Sequence, residues 1–172
     1  MIYIMLNSIV FHPPAPTYDI NTPHLTMVPR ERNPLYHVPA KYINLGYKYT
    51  ILMCHGNAED IGTAPIKDLA TQWHANICVF DYAGYGMHTK RDPSEEDCYR
   101  DGQTVYGWLL KQGILPNTLI IYGRSLGTGL ACRLARYKSC LRLILVSPFM
   151  SVMLTRLPFS LWGDMFPNYK FR

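Results

Sequence analysis

Ser125 stands in the pentapeptide Gly123-Arg124-Ser125-Leu126-Gly127. The apolar run Leu119-Ile120-Ile121-Tyr122 comes directly before it, and a helix-like stretch, residues 128–137, directly after. Strand, Gly-x-Ser-x-Gly, helix is the setting of a nucleophile elbow, in which a serine hydroxyl is raised on a sharp turn to attack a carbonyl carbon. The chemistry accounts for the spacing. The turn strains the serine backbone, and Gly123 and Gly127 lack side chains, so the strand end and the helix start can approach closely. Behind Ser125 the helix N-terminus presents free N–H groups and the positive end of its dipole, which makes the Leu126 N–H a candidate oxyanion donor. The plainer reading is a glycine-rich strand-to-helix turn with an incidental serine.

An oxyanion is best held by two donors, and a second loop offers one. His55-Gly56-Asn57-Ala58 follows the unalternating apolar run Tyr49-Thr50-Ile51-Leu52-Met53-Cys54. Gly56 lets the backbone bend close to a substrate, and the Asn57 N–H is the candidate donor. His55 invites a reading as general base; the competing reading, a histidine that hydrogen-bonds its own loop, is the stronger. A third loop, Asp81-Tyr82-Ala83-Gly84-Tyr85-Gly86, follows the strand-like residues 76–80. Asp81 suits bracing of neighbouring loops rather than the acid of a triad, which in this chain order follows the serine. Neither phosphate-binding glycine pattern is present around Gly84 and Gly86. One fact cuts against catalysis: no histidine lies beyond His88, and an alcohol without a general base is a poor nucleophile at neutral pH.

The elements that must position these loops alternate. Residues 49–54, 76–80, 119–122 and 141–146 read as buried strands. Residues 59–73, 94–111 and 128–137 read as helices. Ser94 is the N-cap of the second helix, with Glu95, Glu96 and Asp97 in its first turn, and Cys98, Gly102, Val105 and Leu109 fall on one face. This is the pattern of βαβ units: an α/β fold with a mainly parallel sheet covered by helices on both faces. Two further β-like stretches lie near residues 25–28 and 36–45. Residues 12–34 form a proline-rich extended segment laid over the surface, within a single domain spanning residues 1–172.

Composition narrows the class. Apolar residues are 48% and charged residues 17% of 172, which fits a globular chain and excludes a disordered one. No stretch reaches the ~20 apolar residues of a membrane helix. Residues 1–11 lack the basic lead and cleavage site of a signal peptide; they read as a first strand or buried arm, the alternative being a membrane-surface segment. The formal charge is +5. Its cluster, Arg133, Arg136, Lys138 and Arg142, is better explained by a solvated helix face than by nucleic-acid binding or an anionic membrane. Cys54, Cys78, Cys98, Cys132 and Cys140 are odd in number and lack metal-ligand spacing, so they read as buried apolar side chains in a reducing, cytoplasmic compartment. The mechanism needs no metal or organic cofactor.

At this point the chain resembles the α/β-hydrolase superfamily, and more narrowly its domain-containing protein 17 group. The matching pieces run in order over most of the chain: Phe11-His12-Pro13-Pro14-Ala15-Pro16-Thr17-Tyr18, His55-Gly56-Asn57-Ala58-Glu59-Asp60-Ile61-Gly62, Asp81-Tyr82-Ala83-Gly84-Tyr85-Gly86, Pro93-Ser94-Glu95, Tyr122-Gly123-Arg124-Ser125-Leu126-Gly127-Thr128 and Ser147-Pro148-Phe149. Trp162-Gly163-Asp164-Met165-Phe166-Pro167-Asn168 matches as well. The resemblance implies an α/β-hydrolase fold, Ser125 as nucleophile, and Asn57 and Leu126 as oxyanion donors. It further implies an ester or thioester substrate with a long acyl chain, such as an S-palmitoylated protein, and association with membranes. It implies two more strands and a terminal helix after residues 141–146, together with a later acid and histidine. Asp164 is the one carboxylate side chain after Asp101 and aligns before that acid. The group's N-terminal cysteine cluster has no counterpart, the first cysteine being Cys54. The sequence therefore reads as C-terminally truncated, with very low turnover and an open sheet edge suited to self-association; a non-catalytic binding module is the alternative.

Overall fold

The computed structural model describes residues 10–30, 33–88 and 92–149. Among the described residues six strands form one sheet: β1 (Leu25–Arg30), β2 (Asn33–Ile43), β3 (Thr50–Cys54), β4 (Asn76–Phe80), β5 (Leu119–Arg124) and β6 (Arg142–Val146). Their order is β1-β2-β4-β3-β5-β6. The β1–β2 and β2–β4 pairs are antiparallel; β4, β3, β5 and β6 run parallel. Three helices connect the parallel strands: α1 (Ile66–Trp73), α2 (Glu95–Lys111) and α3 (Gly127–Tyr137).

Alternate residues of the central strands feed two cores. Leu52, Cys54, Cys78, Phe80, Leu119 and Ile121 pack against α2 and α3 through Val105, Leu109, Leu130 and Leu134. Ile77 and Val79 pack on the other face with Ile66 and Ala70 of α1. The connection leaving β3 therefore goes to one face and that leaving β5 to the other. These two strands are neighbours, with Cys54 opposite Gly123, so a crevice opens between their carboxyl ends, the place where sheets of this kind hold ligands.

α2 forms as its sequence predicts. Ser94 has extended dihedrals, and its Oγ accepts the Asp97 N–H at 3.1 Å. Cys98, Gly102, Val105 and Leu109 form part of its buried face.

Other expectations need correction. The helix predicted over residues 59–73 begins only at Ile66. Glu59 and Asp60 accept the N–H groups of Gly56 and Gly62 instead of entering a helix, a local competition that carboxylates and hydroxyls commonly win. β6 was predicted as buried, yet Leu143, Ile144 and Val146 are exposed, because among the described residues it pairs with β5 alone. Cys54, Cys78 and Cys98 are buried, but Cys132 is exposed and Cys140 only partly buried; Cys132 lies on the outward face of α3. The arm over residues 1–11 lies outside the described residues except for Val10 and the buried Phe11. The tail motif from Trp162 to Asn168 lies outside them as well.

The two-core packing makes a test. Leu109 is fully buried under the sheet while its neighbour Leu110 is 36% exposed. Leu109→Ala should lower unfolding stability by about 2–5 kcal/mol and Leu110→Ala by well under half of that, read by urea denaturation.

Candidate active site

Ser125 sits at the turn between β5 and α3 with φ +49°, a left-handed conformation rare for a residue with a side chain. It is exposed. Its N–H donates to the Val146 carbonyl at 3.0 Å. Its own carbonyl accepts the Thr128 N–H at 2.9 Å and the Thr128 hydroxyl at 2.6 Å. Both ends of the strained residue are thus held by other backbone and by the first turn of α3.

The glycines on either side are dictated by contact. A Cβ at Gly127 would lie 2.2 Å from the Cys54 carbonyl oxygen and 2.6 Å from that of His55. A Cβ at Gly123 would lie 2.6 Å from the Gly127 carbonyl oxygen and 2.7 Å from the Ala131 Cβ. The start of α3 therefore lies directly against the end of β3, which brings the elbow beside the His55–Asn57 loop. Among the described residues the N–H groups of Leu126 and Asn57 form no hydrogen bonds, so both predicted donors are available.

Asn57 does more than lend an N–H. Its side-chain oxygen accepts the His12 N–H at 2.8 Å and the Tyr85 hydroxyl at 2.5 Å, and its amide donates to the Val10 carbonyl at 2.6 Å. The proline-rich segment is strapped across this edge of the sheet. Further along, the Thr17 N–H and hydroxyl donate to Asp60, and the Tyr18 hydroxyl donates to Asp81 and accepts the Met87 N–H. Burial first, and then the Asp81 carboxylate, hold the Tyr18 phenol far above its ordinary range, so it remains a donor. Asp81 also accepts the Ile61 N–H at 3.1 Å, the bracing role its position suggested. Lys41, buried beside this cluster, donates to the Gly62 and Ala64 carbonyls. Burial lowers its pKa, opposed by Asp60 and Asp81.

Neither buried histidine forms a hydrogen bond with Ser125 among the described residues. His55 Nδ1 lies 2.7 Å from the Gly56 carbonyl oxygen, and its ring stacks on Tyr82. Nε2 is 3.3 Å from Asp81 Oδ1, close enough for electrostatic attraction but not aligned as a hydrogen bond. His88 Nε2 lies 3.2 Å from Asp101, which also takes Arg30 at 2.7 Å and the Ala83 N–H at 2.9 Å.

Sequence reasoning missed one contact. The Arg124 guanidinium pairs with Glu59, whose Oε1 accepts the Gly56 N–H at 2.9 Å. Glu59 falls in the stretch whose pattern reads as helix, and a pair 65 residues apart leaves no periodic signal. A cavity of about 270 Å³ lies beside it, lined by Met53, Val79 and Tyr122 of the sheet and Leu69 and Trp73 of α1. Ser125 does not line it. Among the described residues no group of His, Cys, Asp and Glu is placed to hold a metal ion, and no helix is long and apolar enough to cross a membrane.

The strand order and crossovers are those of the α/β-hydrolase fold, and the sequence is similar to members of that superfamily. The esterase Pf2001 of Pyrococcus furiosus superposes with a TM-score of 0.68 at 17% identity, over 90% of this chain and 66% of that one. A putative hydrolase of Agrobacterium vitis gives 0.56 at 19%, over 86% and 62%. Within the superfamily the sequence is similar to the domain-containing protein 17 group. Alpha/beta hydrolase domain-containing protein 17C of Xenopus tropicalis is 38% identical over 109 residues, 62% of this chain and 35% of that protein. Protein 17B of Homo sapiens is 38% identical over 130 residues, 70% of this chain and 44% of that protein. The chain thus spans less than half the length of these relatives. No protein-family model matches it.

Asn57→Ala removes the three hydrogen bonds that its side chain makes with Val10, His12 and Tyr85. It should cost about 1–3 kcal/mol and speed proteolysis within residues 10–18, read by limited digestion and mass spectrometry.

Proposed function

We propose that this chain carries the nucleophile and oxyanion hole of a serine hydrolase acting on esters or thioesters. The carrying observation is Ser125 at φ +49°, exposed, between two glycines whose contacts exclude any side chain. In this reading the Ser125 oxygen bonds to the acyl carbonyl carbon and the carbonyl electron pair moves onto oxygen. The Leu126 and Asn57 N–H groups hold that oxyanion. Its collapse expels an alkoxide or thiolate and leaves an acyl-serine, which water then hydrolyses. The finer substrate, a long-chain thioester such as an S-palmitoylated protein, is supported by the resemblance to the domain-containing protein 17 group. Peripheral membrane contact and a cytoplasmic location belong to the same reading, and self-association through β6 is supported by its exposed Leu143, Ile144 and Val146.

A base must take the serine proton. Within this chain His55 contacts the Gly56 carbonyl and His88 contacts Asp101, and no histidine follows His88. Catalysis by the 172 residues alone is therefore confined to the ~10³–10⁴-fold that an oxyanion hole and binding can supply. That same observation favours the second reading, a non-catalytic relative that binds an acyl group or a protein.

Fluorophosphonate labelling of the purified chain, read by intact mass beside Ser125→Ala, separates the two. The hydrolase reading expects a slow adduct that Ser125→Ala abolishes. A folded wild-type chain that forms no adduct favours the binding module.

A further inference from the structure

We propose that Glu59 and Arg124 are a positioning pair that sets the oxyanion loop against the nucleophile elbow; this rests on the hydrolase reading above. Arg124 immediately precedes Ser125, and Gly56 immediately precedes Asn57. Glu59 Oε1 accepts the Gly56 N–H at 2.9 Å and also receives the Arg124 guanidinium. One carboxylate oxygen therefore joins the residue before the attacking hydroxyl to the residue before the second oxyanion donor. Among the described residues it is the one polar link between the two loops.

The loop is shaped to admit it. A Cβ at Gly56 would lie 2.1 Å from Glu59 Oε1 and 3.8 Å from Arg124 Nη2. The carboxylate occupies the space in which any other residue would place its side chain. This gives Gly56 a purpose beyond flexibility, and it explains why Glu59 turns back on its loop instead of entering α1.

The pair acts on geometry more than on stability. The Arg124 and Glu59 side chains are 49% and 34% exposed, so salt screens their attraction and its share of folding stability is small. Oxyanion donors are sensitive to placement: a shift of about 1 Å can cost ~10²-fold in rate. Loosening the loop without removing Asn57 should fall short of losing a donor outright, so the expected effect is roughly ten- to a hundredfold.

The test uses the full chain and four variants, Arg124→Ala, Arg124→Lys, Glu59→Ala and Glu59→Gln. Amide hydrogen exchange at Gly56 and Asn57 is read by NMR, and the rate of Ser125 phosphonylation is followed against salt. Arg124→Ala should speed exchange at the Gly56 amide, whose N–H donates to Glu59, slow phosphonylation by roughly ten- to a hundredfold, and leave the unfolding midpoint unmoved. Arg124→Lys should recover part of the rate. High salt should slow the wild type but not Arg124→Ala, a pattern that a merely structural arginine would not produce. Exchange at Gly56 unchanged in Arg124→Ala and Glu59→Ala overturns the proposal. A wild type that never reacts sinks the hydrolase reading instead, and the exchange data then decide alone whether the pair holds the loop.

Discussion

The site depends on one close approach: the first residue of α3 against the last residues of β3. Gly127 leaves no room for a Cβ between itself and the Cys54 and His55 carbonyls. That contact places the N-terminus of a helix beside the loop leaving a neighbouring parallel strand. The strained Ser125 lies on the turn between that strand's neighbour and the helix. The sheet makes this possible because β3 and β5 are hydrogen-bonded neighbours whose connections leave toward opposite faces.

Around that crevice the loops are held by carboxylates. Glu59 takes the Gly56 N–H, Asp60 those of Thr17 and Gly62, Asp81 that of Ile61, and Asp101 that of Ala83. Hydrogen bonds to an ionised acceptor are roughly twice as strong as neutral ones. Three of these carboxylates are buried, and each has a second partner that offsets the cost of burial: Thr17, Tyr18 or Arg30. The proline-rich strap is part of the same arrangement, since it supplies Thr17 and Tyr18. The geometry of this edge of the sheet is thereby set by side chains far apart in sequence.

That distribution explains what the sequence could and could not tell. α2 was legible because its signals are local: a serine cap, three acidic residues, and a period of three to four. The parallel strands were legible as short apolar runs, and the elbow as a pentapeptide between two elements. The start of α1 was not, because Glu59 and Asp60 are good helix residues whose carboxylates find backbone partners elsewhere. The exposure of β6 was hidden because its composition is that of a central strand, while its neighbours decide its burial. The side-chain role of Asn57 and the Arg124–Glu59 pair depend on contacts across 47 and 65 positions, for which local pattern holds no record.

The proposed hydrolase function requires the Leu126 and Asn57 N–H groups to converge on one oxyanion position above Ser125. A boronic acid, which becomes tetrahedral and anionic on a serine oxygen, tests it by amide NMR of the folded chain. Titration should move the Leu126 and Asn57 amide protons downfield together, and Ser125→Ala should abolish both shifts. A shift at Leu126 with Asn57 unmoved would contradict it, as would no shift at either amide.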